Sequence, residues 1–168
     1  KKDKKFKEAY FNRFSNTWHH GDFAEIKKTR GFVIHGRSDT TLNPGGVRLG
    51  TAEIYSEVEK FREIKESIVV GQSWNNDVRI VLFIVMNGKF YPTEDLLKKI
   101  KIQIRKNASP RHVPSKVIVV NDIPRTKSGK IVELAVKNTI EGNNIKNKEA
   151  LANPKALEQF KNLKELSN

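Results

Sequence analysis

The residues best suited to chemistry lie in a basic run. The segment Pro124-Arg125-Thr126-Lys127-Ser128-Gly129-Lys130 has the outline of a phosphate-binding loop, but Pro124 stands where the first glycine belongs and Ile131 where a magnesium-holding hydroxyl belongs. It is therefore a basic turn of another kind. From 98 to 137, eleven Lys or Arg face only two acids, Asp122 and Glu133. Such a surplus is either the solvated faces of a helix and two loops or a surface for anions, and charge alone leaves both open. No Gly-x-Ser-x-Gly elbow, His-Glu-x-x-His motif or dinucleotide fingerprint occurs. His19, His20, His35 and His112 lack metal-ligand spacing and read as surface or loop histidines, so no metal site is expected. With no cysteine, disulfides, thiolate metal sites and thiol nucleophiles drop out, and a reducing compartment is the expectation.

Taken one at a time, the other candidates have ordinary explanations. Asp22 follows Gly21 as a turn residue would, Asp39 suits an Asx turn, Lys130 suits a solvated turn, and Arg105 suits the basic end of a helix. The net charge of +13 points to phosphates, nucleic acid or an anionic surface as partners without choosing among them.

These residues need a scaffold. Hydrophobic residues make up 37% of the 168 and charged residues 30%, with nine Phe and two Trp, which excludes wholesale disorder and suits one domain plus attachments. Phe6, Tyr10, Phe11 and Phe14 recur at about one helical turn and predict a short amphipathic helix behind a charged, frayed stretch at 1–7. A hairpin over 23–27 and 32–35 follows, then a loop at 36–50 dense in Gly, Pro, Asn and Thr. Helices are predicted at 52–63, 93–106 and 131–140, the second with acids first and bases last. Val- and Ile-rich strands are predicted at 67–72, 79–86 and 116–120, giving an α+β domain of about one hundred residues. The tail to residue 168, rich in Asn and Lys, is expected to be partly helical and draped over the surface. The longest apolar run, Ile80 to Met86, falls far short of the ~18 residues that cross a bilayer, so neither a membrane span nor a signal peptide is expected. Met86 is the only methionine, so residue 1 is not a translation start and the chain reads as a piece of something longer.

Four segments in order resemble the adenylate-forming superfamily of acyl-CoA synthetases, adenylation domains and luciferases over residues 18–141. They are Trp18-His19-His20-Gly21-Asp22, Gly36-Arg37-Ser38-Asp39, the stretch from Gly45 to Ile54, and the loop from Pro124 to Lys130. Narrower wording is similar to the acetoacetyl-CoA synthetase branch over nearly the whole chain: the stretch from Leu42 to Arg48, the stretch from Ser109 to Pro114, and the tail from Glu149 to Pro154.

The resemblance implies the small C-terminal α+β domain of an adenylate-forming enzyme, with a short, mostly antiparallel sheet, flanking helices and the last strands of a large N-terminal domain before it. Residues 1–37 would end that large domain, 38–141 would form the mobile domain hinged near Asp39, and 142–168 would be an extension. It implies an acid–thiol ligase of the cytoplasm, acetoacetate being the expected acid and ATP and CoA the co-substrates, with Mg2+ held by the large domain. A carboxylate would attack the α-phosphate of ATP and expel pyrophosphate; after a domain rotation, the thiol of CoA would attack the acyl-adenylate. Asp22 matches the acid at the ribose hydroxyls, Arg37 its basic partner, and Lys130 the adenylation lysine. Gly45, Gly46 and Arg48 match positions facing the site in the thioester-forming state, and Arg105 matches one near the nucleotide end of CoA. Lys130 is then also a candidate for an acetyltransferase and deacetylase. Thr40 departs from the family where many members carry a second acid, and Pro44-Gly45 departs before Gly46. Nucleic acid is not an expected partner under this resemblance. A basic nucleic-acid-binding module, or the corresponding part of an acetyl- or propionyl-CoA synthetase, is the alternative.

Overall fold

Two strands rich in Val and Ile build the centre. In the computed structural model, which describes residues 2–145 and 147–168, β3 (Ile64–Trp74) and β4 (Asp77–Met86) pair antiparallel, with Ile68 opposite Phe83 and Val70 opposite Val81. The pair turns through Asn75 and Asn76, both at positive φ, a conformation Asn tolerates better than most residues. β5 (Lys116–Val119) lies parallel to β4, so the three-stranded sheet has the order β3-β4-β5 and is mixed.

Alternate residues point to opposite faces, and both faces are covered. Val69, Ile80, Leu82 and Ile84 pack on one side against α2 (Thr51–Val58) and α3 (Glu94–Asn107), through Ile54, Val58, Ile100 and Ile104. Ile68, Val70, Val81 and Phe83 pack on the other against α4 (Glu133–Ile140) and the tail, through Val136, Leu157 and Phe160. Thr93 caps α3 by accepting from the Leu96 amide, with Glu94 and Asp95 in the first turn and Arg105 and Lys106 in the last. The two layers are stitched around the β3 edge. The Tyr55 hydroxyl of α2 donates to Glu133 of α4 at 2.5 Å and accepts from the Val69 amide at 3.1 Å. Burial and the neighbouring Glu133 carboxylate push the Tyr55 phenol well above its ordinary pKa.

Several expectations shift. The first helix, α1, spans Lys2–Tyr10, earlier than the aromatic spacing predicted, because Phe11 leaves the helix to join Phe6 and Tyr10 around Trp18. Lys1 of the stretch expected to fray lies outside the described residues. The hairpin is β1 (Asp22–Ile26) with β2 (Phe32–Arg37). Helix α2 ends at Val58 rather than 63, and α4 starts at Glu133 because Ile131 is engaged in a bridge with Arg125. His112 is buried, not a surface residue: its Nε2 meets Glu53 at 2.5 Å and its Nδ1 meets the Ser109 hydroxyl at 2.8 Å.

The largest correction concerns the tail. It does not drape over the surface: Leu151, Leu157, Phe160 and Leu166 are buried in the second core, with Phe160 edge-to-face on Phe83. Short 3-10 turns at Pro154–Phe160 and Lys164–Leu166 carry Leu157, Phe160 and Leu166 inward. Lys146 of the tail lies outside the described residues. Buried Arg79 donates to the carbonyls of Leu166 at 2.6 Å and Asn168 at 2.8 Å while stacking on Trp74. Arg79 thereby satisfies its own fork in the interior and ties the tail to β4. Among the described residues no helix is long and apolar enough to cross a membrane.

Candidate functional site

The hairpin gathers three of the expected residues. In the β1–β2 register Asp22 sits opposite Arg37, and the Arg37 Nη1 lies 3.7 Å from Asp22 and donates to the His20 carbonyl at 2.9 Å. Arg37 also reaches Asp39 at 3.3 Å and 3.4 Å. Asp22 in turn contacts His20 Nδ1. Gly21 has φ +90, a conformation L side chains rarely adopt, and a β-carbon there would lie 2.8 Å from the Arg37 guanidinium, which would have to shift. Asp22, Arg37 and Asp39 thus form one charged cluster at the exit of the hairpin. The exposed Ile26, Phe32 and Ile34 on the same hairpin leave it with an uncovered apolar side.

Gly45 and Gly46 sit in a short turn, Pro44–Gly46, outside that cluster. The cross-bridge of Leu42 with Leu49 closes the loop, and both leucines are buried. The Gly45 amide donates to both carboxylate oxygens of Asp77, at 2.9 and 3.0 Å. Hydrogen bonds from the Val78 and Gly45 amides hold the Asp77 carboxyl below the usual aspartate range. Arg48 is exposed beside this turn, and Arg111 points at it, its Nη1 lying 3.7 Å from where a Gly45 β-carbon would be. Arg105 is exposed in the last turn of α3.

Lys130 stands elsewhere again. Its loop is closed by the Thr126 amide donating to the Lys130 carbonyl at 2.8 Å and the Lys130 amide donating to the Thr126 hydroxyl at 3.1 Å. Gly129 takes φ +82, a left-handed turn that an L side chain disfavours. Arg125 anchors the loop to β3 through Glu66 at 2.9 Å. The Lys130 side chain is exposed, and among the described residues it makes no ion pair or hydrogen bond, nor any contact of that kind with Asp22, Arg37 or Asp39. A cavity of about 430 Å³ lined by Tyr55, Glu66, Arg125 and Ile131 opens at the base of this loop.

Sequence reasoning missed four supporting residues. His20 holds Asp22, Asp77 holds the Gly45 turn, Glu66 holds Arg125, and Asn153 in the tail accepts from the Arg125 amide at 2.8 Å. His20 and Asn153 fall inside stretches the resemblance singled out and Asp77 closes an Asn-Asn turn, whereas Glu66 carried no local sign.

Comparison with known proteins gives a consistent set of relatives. Residues 53–130 match the AMP-binding enzyme C-terminal domain family. Over 98% of its length the chain is 59% identical to an acetoacetyl-coenzyme A synthetase of Rhizobium meliloti strain 1021, and it covers 25% of that protein. The corresponding identity with an acetoacetyl-CoA synthetase of Xenopus tropicalis is 46%, again over 98% of this chain and 25% of the relative. The solved acetoacetyl-CoA synthetase of Streptomyces lividans superposes with a TM-score of 0.87 at 35% identity, over 99% of this chain and 25% of that one. The chain therefore spans about a quarter of the length of the curated relatives it matches.

Proposed function

Residues 53–130 match the C-terminal domain of AMP-binding enzymes, and from that premise we propose that the chain is the mobile part of an ATP-dependent acetoacetate–CoA ligase. Residues 1–37 end the large domain, 38–141 move about a hinge near Asp39, and 142–168 extend the moving part. The supporting observation is Lys130: an exposed ammonium without an ion partner among the described residues, on a loop whose base is pinned.

In the first half-reaction Lys130 lies beside the acid and the α-phosphate. It stabilises negative charge as the carboxylate oxygen bonds to phosphorus and pyrophosphate leaves. A single ammonium on a flexible stem suits this task because it can leave with the rotating domain. Asp22 offers carboxylate oxygens to the ribose hydroxyls, and Arg37 orients Asp22 from across the hairpin. In the second half-reaction the domain has turned about Asp39, and the Gly45–Gly46 turn faces the reacting thiol. Arg48 and Arg105 then hold the phosphates of CoA. The thiol sulfur bonds to the acyl carbon and AMP leaves. Mg2+ does not fit here: among the described residues no group of three or more His, Asp or Glu could hold a metal ion, and we assign it to the large domain. A cytoplasmic location and reversible acetylation of Lys130 belong to the same proposal.

The test uses the full-length enzyme, with pyrophosphate release measured for acetoacetate, acetate, propionate and butyrate. Acetoacetate should be the fastest, and Lys130→Ala should cut release by on the order of 100-fold, the scale for one preorganised charged group. Undiminished release by Lys130→Ala would remove the residue from the mechanism. Residues 1–168 alone should release none.

A further inference from the structure

The tail supplies hydrogen-bond partners to one side of the segment that leads into the Lys130 loop. The Asn121 amide donates to Gln159 Oε1 at 2.7 Å, and Gln159 Nε2 donates to the Asp122 carbonyl at 2.7 Å. Asn153 Nδ2 donates to the Ile123 carbonyl at 2.9 Å and to the Asp122 carboxylate at 2.7 Å. Its Oδ1 accepts from the Arg125 amide at 2.8 Å. The Ala152 amide then donates to the Arg125 carbonyl at 2.8 Å, and the Lys127 amide donates to the Ala150 carbonyl at 3.2 Å. Thr126 and Leu151 form an antiparallel bridge, and Leu151 is buried in the core. Of these contacts Asn153 makes the most specific, because one side-chain amide uses its acceptor and its two-donor nitrogen on three groups of a single short stretch.

We propose that Asn153 is a positioning residue for Lys130, and that the tail serves the first half-reaction by holding the lysine loop in one conformation. The proposal rests on the reading of Lys130 given above. Without this brace the amide of Arg125 and the carbonyl of Ile123 turn to water, the loop gains backbone freedom, and the ammonium spends less time where charge develops. Asn153 touches no reacting atom. Its loss should therefore appear in the rate of adenylation and leave the thioester step, in which Lys130 has withdrawn, unchanged.

The experiment compares Asn153→Ala, Asn153→Asp and the pair Asp122→Asn with Asn153→Asp in the full-length enzyme. ATP–pyrophosphate exchange with acetoacetate reports the first half-reaction, and thiol consumption from supplied acetoacetyl-adenylate and CoA reports the second. Asn153→Ala should lower the kcat of exchange about tenfold, with KM for ATP and the second half-reaction held within about twofold. Hydrogen exchange at the Arg125 and Lys127 amides should quicken. Asn153→Asp should do at least as much harm, since two carboxylates then face each other across a 2.7 Å contact. Adding Asp122→Asn restores a donor to that contact, and the other oxygen of the introduced carboxylate still accepts from the Arg125 amide, but the Ile123 carbonyl keeps no donor, so the pair should recover only part of the lost rate. Equal loss in both half-reactions, or unchanged exchange in Asn153→Ala, would overturn the proposal. Lys130→Ala in the same assays separates the two levels. If it leaves exchange intact, the reading of Lys130 has failed; if it abolishes exchange while Asn153→Ala does nothing, only the role of the tail has.

Discussion

The Lys130 loop and the Gly45–Arg48 segment are rooted in the cores on opposite faces of the β3-β4-β5 sheet. Ile123 and Leu151 root the first in the layer of α4 and the tail. Leu42 and Leu49 root the second in the layer of α2 and α3. Their fastenings differ as well. Backbone and amide hydrogen bonds from the tail hold the first, whereas the second hangs on the carboxylate of Asp77. Packed cores resist continuous deformation, so a domain with two working edges is better served by placing one in each layer and turning as a body than by reshaping a single edge. Under the proposed function this is the physical sense of a rotation about Asp39.

The contrast can be broken most forcefully at Phe160, which is fully buried against Phe83. Phe160→Ala should destabilise the domain by about 3–5 kcal/mol in urea unfolding, the usual cost of such a cavity. In the folded protein it should loosen the Arg125 amide in hydrogen exchange and leave the Gly45 amide protected. Equal loosening of both would mean that the two layers yield together.

Tyr55→Phe addresses the stitch between layers. It leaves the Glu133 carboxylate and the Val69 amide without their partner, and should cost about 1–3 kcal/mol by the same measurement. A cost near zero would mean that the layers are held by the sheet alone.

The smallest effect concerns acid. The folded Asp77 carboxyl is a stronger acid than an unfolded one because the Val78 and Gly45 amides donate to it. Its contribution is therefore present above the ordinary aspartate range and is lost as the pH falls through the lowered value. In an NMR titration the Gly45 amide shift should move with a midpoint below that range, while the Arg125 amide, held by Asn153, should not follow it. A midpoint in the ordinary range would show that the two donors do not hold the carboxylate.

The parts of this arrangement that were legible in the sequence are those with a period or a local partner. Val and Ile density marked β3, β4 and β5, and acids before bases marked α3. Gly21-Asp22 and Arg37-Ser38-Asp39, apart in sequence, were singled out by their wording, and the hairpin register brings them into one cluster. The tail was misread because its apolar residues are sparse among Asn and Lys: Leu157, Phe160 and Leu166 are spaced at multiples of three and reach the core through short 3-10 turns, and Leu151 enters beside its bridge with Thr126. The partners of Arg79 lie far off in sequence, at the carbonyls of Leu166 and Asn168. Asp77 and Gly45 meet across 32 residues, and no spacing rule joins them.

The central claim, that the two layers deliver different chemistry, is tested most directly by crossing two substitutions with two half-reactions in the full-length enzyme. Lys130→Ala and Arg48→Ala would each be measured by pyrophosphate exchange and by thioester formation from supplied acyl-adenylate. The account predicts that Lys130→Ala loses on the order of 100-fold in exchange and little in thioester formation, while Arg48→Ala weakens thioester formation and spares exchange. If both substitutions depress the same half-reaction, the two loops serve one site together and the division between layers carries no functional meaning.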